Sequence, residues 1–226
     1  AKVFDALENW DAFIKDPVEQ LISFSGLTFY GGLICGGAGV IIYTRKHNIP
    51  LLHLPDIGAP AMMLAYGVGR IGCHLAGDGD WGVVNTAPKP GWMQALPDWM
   101  WSFTYPRNVN HAGDVILQDV PGNFNNALAQ PVWPTPFYEA ILGILLFFLL
   151  WSLRKRLKTP GLLFGIYLII NGIERFCIEL IRVNSRYHIG NFSFTQAEMI
   201  ATFLFIGGIA LSTYVLLRKK DVSTQV

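Results

Sequence analysis

The sequence predicts an all-α integral membrane protein with about five transmembrane helices and one long irregular loop between the second and third. Of its 226 residues, 52% are hydrophobic and 15% are charged, whereas a soluble domain carries about 25% charged residues. Five stretches reach spanning length, which takes roughly 20 predominantly apolar residues. The formal net charge is only +1, so the composition does not favour a nucleic-acid partner.

The predicted spans are joined by short connections, apart from the long loop. They cover residues 26–44, 51–77, 137–153, 161–181 and 195–217. The chain contains 23 glycines, and small residues let helices approach each other closely in lipid. Three cysteines, Cys35, Cys73 and Cys177, all lie in apolar stretches, which does not favour a disulfide framework.

Basic residues predict the orientation of the spans. Nine of the 17 basic residues follow the first, third and fifth spans: Arg45, Lys46, Arg154, Lys155, Arg156, Lys158, Arg218, Lys219 and Lys220. If the spans alternate in direction, all nine lie on one side, which the positive-inside rule assigns to the cytoplasm. We therefore expect the amphipathic segment 1–25 and the loop 78–136 on the outer side, and the tail 219–226 in the cytoplasm.

The long loop is rich in tryptophan and proline. It contains five of the seven tryptophans: Trp81, Trp92, Trp99, Trp101 and Trp133. Because tryptophan favours the headgroup layer of a bilayer, the loop is interpreted as an irregular domain resting on the membrane surface. It is also compatible with a lid over a site that faces lipid.

Charged residues inside the spans point to a polar site. At about 1.5 Å per residue, Arg70 lies about 28 Å along the second span and Arg175 about 21 Å along the fourth, so both fall in the outer half of the membrane. Arg175, Glu179 and Arg182 share one helix face and could form a ladder of ion pairs without further function. The depth of Arg70 and of Glu139 on other spans favours a polar chamber instead, because a charge in lipid needs a partner or a function.

Arginine is suited to bidentate recognition of phosphate, and the nearest phosphates are those of lipid headgroups. Glycines around Arg70 allow a ligand or another backbone to approach closely, and His74 lies one turn further along. His74, Asp78 and Asp80 are metal-ligand types, but no second histidine or cysteine cluster completes a metal site. We therefore predict an anionic lipid as the ligand, with no metal and no other cofactor.

Four quoted stretches resemble one family. "GRIGCHLAGDGDWG" (69–82), "FYGGLICG" (29–36), "PVWPTPFYEAILGILLF" (131–147) and "PGLLFGIYLIINGIERFCIELIR" (160–182) occur in this order. Together with Gln196 at the start of the last span, they resemble the motifs of prolipoprotein diacylglyceryl transferases. The resemblance covers about residues 25–218.

The resemblance implies a bacterial inner-membrane enzyme with seven spans. Such an enzyme moves the diacylglyceryl group of phosphatidylglycerol to the lipobox cysteine of a preprolipoprotein signal peptide, and glycerol phosphate leaves. Phosphatidylglycerol, the signal peptide and membrane lipid are the partners that it implies. Matching positions by motif gives Arg70 and Arg175 as the phosphate-contacting and essential arginines. Five further positions match residues of the same family motifs: Asp78, Tyr138, Glu139, Glu179 and Arg182.

Some positions depart from the family pattern. Tyr30 stands where the family commonly has the histidine discussed as a base, Cys73 replaces an asparagine, and His74 replaces a phenylalanine. We hypothesise that Tyr30 or His74 helps to deprotonate the acceptor thiol. The family has two further spans before this motif, whereas only residues 1–29 precede it here, so we expect either a fragment of a longer protein or a divergent branch.

Two other functions remain open at this stage. The first is a membrane subunit or inactive homologue that binds lipid without chemistry, which the departures at positions 30 and 73 would favour. The second is a small-molecule transporter, which would need ionisable residues in the inner half of the membrane. Asp56 is the only such residue that the spans offer there.

Overall fold

The computed structural model describes residues 29–117, 124–183, 186–189 and 192–224. The predicted outer segment 1–25 lies outside the described residues. Two compact units divide the chain, residues 1–54 and residues 55–226. The described residues are mainly helical, and the predicted helical fold class is confirmed.

The first unit contains helix α1, Phe29–Lys46. Its apolar, glycine-rich sequence ends at two basic residues, Arg45 and Lys46, which interact favourably with the carbonyl end of a helix. Asn48 adopts a left-handed conformation with φ of 54°, and the amide of Ile49 donates to the carbonyl of Thr44 at 2.9 Å. This arrangement satisfies a carbonyl at the helix end.

Four more helices follow in the described part of the chain. They are α2, His53–Ala76; α3, Thr135–Leu153; α4, Leu162–Glu179; and α5, Gln196–Thr224. With α1, they occupy the five stretches that were predicted as spans, with boundaries differing by a few residues. α3 begins at Thr135 and Pro136, where a proline costs no hydrogen bond because the first amides of a helix lack partners.

Among the described residues, two of these helices are long and apolar enough to cross a membrane. They are Thr135–Leu153 and Gln196–Arg218, of which only 28% and 17% are buried within the protein. A core helix of a soluble protein would be mostly buried, whereas here large apolar side chains such as Phe148 and Phe203 point outward. The exposed apolar surface is therefore suited to lipid. That the other three helices also cross the bilayer stays a prediction.

Glycines bring the helices of the second unit into close contact. A Cβ added at Gly143 of α3 would lie 2.8 Å from the Cα of Gly67 on α2. A Cβ added at Gly172 of α4 would lie 2.7 Å from the carbonyl oxygen of Ala201 on α5. Such close crossings are typical of helices that associate in lipid, where packing replaces the hydrophobic effect.

An acid near the start of α2 holds the beginning of α4. The carboxylate of Asp56 accepts hydrogen bonds from the amides of Gly161 at 2.6 Å and Phe164 at 2.8 Å. These are amides of the first turn, which have no partner within the helix. Beside this cap, Met63, Leu150 and Leu163 form a buried cluster between α2, α3 and α4.

The long connection between α2 and α3 is irregular, with two 3₁₀ turns at Gly91–Met93 and Asp98–Met100. A short antiparallel ladder pairs β1, Val115–Ile116, with β2, Asn126–Ala127. A second hairpin precedes α5 and pairs β3, Arg186–Ile189, with β4, Phe192–Thr195.

The start of α5 is fixed by a capping box. The amide of Glu198 donates to the Thr195 hydroxyl at 3.1 Å, and the Thr195 amide donates to the Glu198 carboxylate at 2.9 Å. This reciprocal pair satisfies two backbone donors at the helix start. It defines where the second hairpin ends and the last helix begins.

Candidate active site

One buried carboxylate, that of Glu139, lies at the centre of three arginines. Its side chain is fully buried in the first turns of α3, and the Nε of Arg70 from α2 forms an ion pair with its Oε2 atom. Arg175 of α4 approaches the same Oε2 atom at 3.9 Å. Arg182, just beyond α4, approaches Oε1 at 3.7 Å. Four separate segments of the chain thus bring these side chains together.

A second acid, Asp80, joins two of these arginines. It forms ion pairs with Arg70 and with Arg182. The carbonyl of Asp80 also accepts a 2.6 Å hydrogen bond from the hydroxyl of Thr135, which is completely buried at the start of α3. The turn after α2 is therefore tied to the helix that carries Glu139.

Backbone pairing fixes the position of Arg182. Gly82 pairs with Arg182 in an isolated antiparallel bridge, and the amide of Val83 donates to the carbonyl of Ile181 at 2.9 Å. A Cβ added at Gly82 would lie 2.5 Å from that carbonyl oxygen and 2.8 Å from the Cβ of Trp133. Only glycine therefore allows this close approach, which holds Arg182 beside Asp80.

Arg182 keeps two buried donor atoms without a hydrogen-bond partner in the described part of the chain. The side chain of Arg182 is 7% exposed, and its Nε and Nη1 atoms have no hydrogen-bond partner among the described residues. Burial lowers the pKa of Arg182, and the neighbouring Arg70 lowers it further, although an arginine stays charged in proteins. Arg175 has its 3.9 Å contact with Glu139 and is 24% exposed. A buried donor without a partner is costly, so this cluster is suited to bind a further anion.

Tyr66 and Glu174 extend the cluster away from the arginines. The Tyr66 hydroxyl lies 2.7 Å from Oε2 of Glu139 and 3.2 Å from Oε1 of Glu174. Tyr66 is one helical turn before Arg70, whose guanidinium lies 5.2 Å from the centroid of the Tyr66 ring. Because residues four apart share a helix face, the spacing from Arg70 is the sequence signal that points to Tyr66.

His74 lies among aromatic side chains next to the arginine cluster. Its Nδ1 atom is 3.1 Å from the hydroxyl of Tyr105, and burial together with the charge of Asp78 raises the pKa of Tyr105. The rings of Trp99 and Phe103 have centroids 5.4 and 5.5 Å from that of His74. These residues line a cavity of about 280 Å³.

A buried asparagine in the loop holds Tyr105 in this place. The side-chain amide of Asn108 donates to the carbonyls of Tyr105 at 3.1 Å and Ala112 at 2.9 Å. The following residue, Val109, donates from its amide to the carbonyl of Ala76 at the end of α2. The irregular loop is thus anchored to the helix that carries His74, a connection that no local sequence pattern indicates.

The remaining predicted site residues lie in different surroundings. Cys73 has its sulfur 3.9 Å from an Arg70 nitrogen. Asp78 is beside Asp80, whose amide lies 3.3 Å from its carboxylate. The Tyr138 hydroxyl donates to the carbonyl of Met100 at 2.8 Å, so it anchors the loop. Glu179 is buried near the end of α4.

The side chain of Tyr30 is not among those that the structure describes. It belongs to α1 in the first compact unit. The hypothesis that Tyr30 serves as a base therefore stays a prediction.

One group of side chains has metal-ligand character. The ligand atoms of Cys73, Asp78 and Asp80 lie within 4.8 Å of one another. The Asp80 carboxylate, however, already forms ion pairs with Arg70 and Arg182, and two neighbouring positive charges oppose a cation. The Asp80 carboxylate therefore belongs to the arginine cluster, and its charge is already balanced without a metal ion.

A sequence profile of the prolipoprotein diacylglyceryl transferase family matches residues 1–214. This match extends beyond the stretch of 25–218 in which the motifs were found, since it includes the N-terminal residues. The resemblance predicted from the sequence is therefore confirmed. The similarity of the N-terminal segment had left no motif that the sequence analysis detected.

Several curated relatives are named phosphatidylglycerol–prolipoprotein diacylglyceryl transferase. One from Mycobacteroides abscessus is 32% identical over 86% of this chain and 52% of its own length. One from Chlorobaculum tepidum is 28% identical over 90% of this chain and 64% of its own length. A third, numbered 2 in Clostridium perfringens, is 29% identical over 93% of this chain and 71% of its own length.

The chain thus spans between about half and about seven tenths of the length of these relatives. The profile match nevertheless covers almost all of its residues. The protein belongs to the prolipoprotein diacylglyceryl transferase family.

Proposed function

We propose that this protein transfers the diacylglyceryl group of phosphatidylglycerol to the lipobox cysteine thiol of a preprolipoprotein, releasing glycerol phosphate. Family membership and the names of the relatives support this reaction. The observation that carries the proposal is the cluster of Arg70, Arg175 and Arg182 around the buried Glu139, with arginine donors left unused.

In the proposed reaction, the thiol sulfur forms a bond to the glyceryl carbon next to the phosphate. The bond from that carbon to the phosphate oxygen breaks, and the leaving glycerol phosphate gains negative charge. Arginines that already surround the phosphate stabilise this charge without reorganisation at the moment of reaction. We assign this role to Arg70 and Arg175, with Arg182 as a further donor.

The other predicted residues are proposed to support these arginines. Glu139 and Glu179 orient the guanidinium groups, while Cys73, Asp78 and Tyr138 border the bound headgroup. The thiol needs little help to ionise, since an ordinary thiol pKa of about 8.5 leaves some thiolate at neutral pH. Tyr30 and His74 are the candidates for accepting its proton.

We propose an arrangement in the bacterial inner membrane in which all five helices cross the bilayer. The basic residues after α1, α3 and α5 would lie in the cytoplasm, together with the C-terminal tail. The N-terminal segment and the loop of residues 78–136 would lie in the periplasm. The arginine cluster would then be in the outer half of the membrane, where an anionic headgroup and the end of a signal helix meet.

The transporter hypothesis is less well supported. It required Asp56 as an ionisable group in the inner half of the membrane. The carboxylate of Asp56 accepts hydrogen bonds from two amides at the start of α4, so it is engaged in the fold. We therefore keep the lipid-binding, inactive homologue as the second candidate, because Tyr30 and Cys73 depart from the family pattern.

The decisive experiment uses the purified protein in detergent with phosphatidylglycerol and a lipobox peptide. Release of glycerol phosphate is measured for the natural chain, for Arg175→Ala and for the control Arg156→Ala, an exposed arginine after α3. We expect release from the natural chain and from the control, and a fall of roughly 100-fold or more for Arg175→Ala. Lipid binding without release by the natural chain would instead support the inactive homologue.

A further inference from the structure

The hydroxyl of Tyr66 lies between two carboxyl groups. It is 2.7 Å from Oε2 of Glu139, and it is 3.2 and 3.4 Å from the two oxygens of Glu174. A phenol has one hydrogen to donate and an oxygen that can accept. One carboxyl therefore receives the phenolic hydrogen, and the other is best accommodated if it carries a hydrogen of its own.

The surroundings of the two carboxyl groups indicate which one is ionised and which one carries a hydrogen. Glu139 is in contact with three guanidinium groups, those of Arg70, Arg175 and Arg182, so its negative charge is compensated. Glu174 is only 6% exposed, and within the described residues it has no arginine or lysine at ion-pair distance. Arg175 and Arg70 act on Glu174 only from beyond ion-pair distance, and a buried carboxylate without a direct ion pair is disfavoured relative to its neutral form.

We propose that Glu174 is a protonated carboxylic acid that donates its hydrogen to the Tyr66 oxygen, so that Tyr66 donates its own hydrogen to Glu139. Tyr66 and Glu174 are then positioning residues, which act on the arginine cluster through Glu139. As far as activity is concerned, this inference rests on the function proposed above. The protonation state itself does not depend on it.

The direction of this hydrogen-bond chain has a consequence for the arginines. Tyr66 and Arg70 both engage the Oε2 atom of Glu139, which fixes the rotation of the carboxylate. Its other oxygen, Oε1, then faces Arg182. An ionised Glu174 would place a second buried negative charge beside Glu139, across the Tyr66 hydroxyl.

The protonation state is tested by infrared spectroscopy of the purified full chain. We compare the natural protein with Glu174→Gln, Tyr66→Phe and Tyr167→Phe. The last is a matched control, a tyrosine of α4 that packs on the Met63 cluster instead. We expect a carbonyl band of a protonated carboxylic acid that Glu174→Gln removes, that Tyr66→Phe shifts, and that Tyr167→Phe leaves unchanged. A spectrum in which Glu174→Gln removes only carboxylate bands would overturn the inference.

The transfer assay tests the positioning role. Glutamine keeps a hydrogen to donate, so Glu174→Gln should retain transfer within about threefold, whereas Glu174→Ala and Tyr66→Phe should lower it about tenfold, the scale of one buried hydrogen bond to a charged group. Equal losses for Glu174→Gln and Glu174→Ala would contradict the role. If the natural chain transfers nothing, the proposed function fails, while the infrared result still decides the protonation of Glu174.

Discussion

Asp56 and Glu139 are two acids that join helices, and they do so in opposite ways. Asp56 near the start of α2 accepts hydrogen bonds from backbone amides of Gly161 and Phe164. Glu139 in α3 is surrounded by side chains, three of them arginines, and its Oε1 atom has no hydrogen-bond partner among the described residues. The hydrogen bonds of Asp56 are satisfied by backbone amides at a helix start. Glu139 lies in a cluster in which some hydrogen-bonding atoms have no partner among the described residues.

This difference separates a structural acid from an acid of the candidate site. Backbone amides at a helix start have fixed positions, so the bonds of Asp56 serve only to hold α4 in place. We expect the arginines around Glu139 to take up a bound anion, because Nε and Nη1 of Arg182 have no hydrogen-bond partner among the described residues. Substitutions at the two positions should therefore affect different properties, stability for Asp56 and transfer for Glu139.

The largest effect is expected for Glu139→Gln. The amide keeps the size of the side chain but removes the charge that Arg70, Arg175 and Arg182 share, so the arginines repel each other and lose their orientation. We expect transfer to fall roughly 100-fold or more, the magnitude found for removal of an electrostatic group in an active site. The measurement is glycerol phosphate release under saturating phosphatidylglycerol, with soluble, folded protein verified by size-exclusion chromatography. Activity near that of the natural chain would remove Glu139 from the site.

An intermediate effect is expected for Gly82→Ala. The added Cβ would meet the carbonyl oxygen of Ile181 at 2.5 Å, so the bridge to Arg182 must open and Arg182 must move away from Asp80. Strain of this kind costs about 1–3 kcal/mol, and we expect about a tenfold loss of transfer. Gly91→Ala is the matched control, because a Cβ there meets nothing within 4 Å. Similar activity in both variants would show that the bridge does not position the site.

Asp56→Ala is expected to lower the stability of the protein and to leave transfer nearly unchanged. Loss of a helix cap costs about 0.5–2 kcal/mol, so thermal inactivation in detergent should begin at a lower temperature. At a temperature where the variant is folded, transfer should stay within about twofold of the natural chain, because Asp56 acts at the start of α4 and Arg175 lies near its other end. A large loss of transfer at low temperature would contradict a purely structural role and would support a functional role for the ionisable Asp56 side chain.

A small effect on transfer is also expected for His74→Phe. A phenyl ring fills the aromatic cluster with Trp99, Phe103 and Tyr105, and only the hydrogen bond to Tyr105 is lost. We expect transfer to fall less than about threefold, within the net worth of one neutral hydrogen bond, which would leave Tyr30 as the remaining candidate for accepting the thiol proton. A loss beyond about 100-fold would be the size of general-base catalysis and would assign the proton-accepting role to His74.

The sequence predicted the helices well because their signal is local. Apolar runs of spanning length predicted the stretches that α1 to α5 occupy. Arg70 and Arg175 also stood out, since a charge within an apolar run is costly in lipid. Each of these features can be read within one segment of the chain.

Some of the site could not be predicted in this way. The motif match singled out Asp78, whereas Asp80 is the acid that forms ion pairs with Arg70 and Arg182. Gly77 and Gly79 in this turn have positive φ, so which of the two acids faces the arginines depends on the folded turn. Tyr66 was visible as a polar residue one turn from Arg70, but its partner Glu174 is 108 positions away.

The amino-acid sequence by itself determined that this is a helical, lipid-facing chain with arginines buried in its apolar segments. Periodicity, length and the cost of burying charge are properties of single segments, so no partner is needed to read them. The tertiary structure alone decided that Glu139 is shared by three arginines, that Asp56 caps a helix, and that His74 belongs to an aromatic cluster. These pairings join residues far apart in the chain, and their geometry depends on how closely the helices and the loop pack.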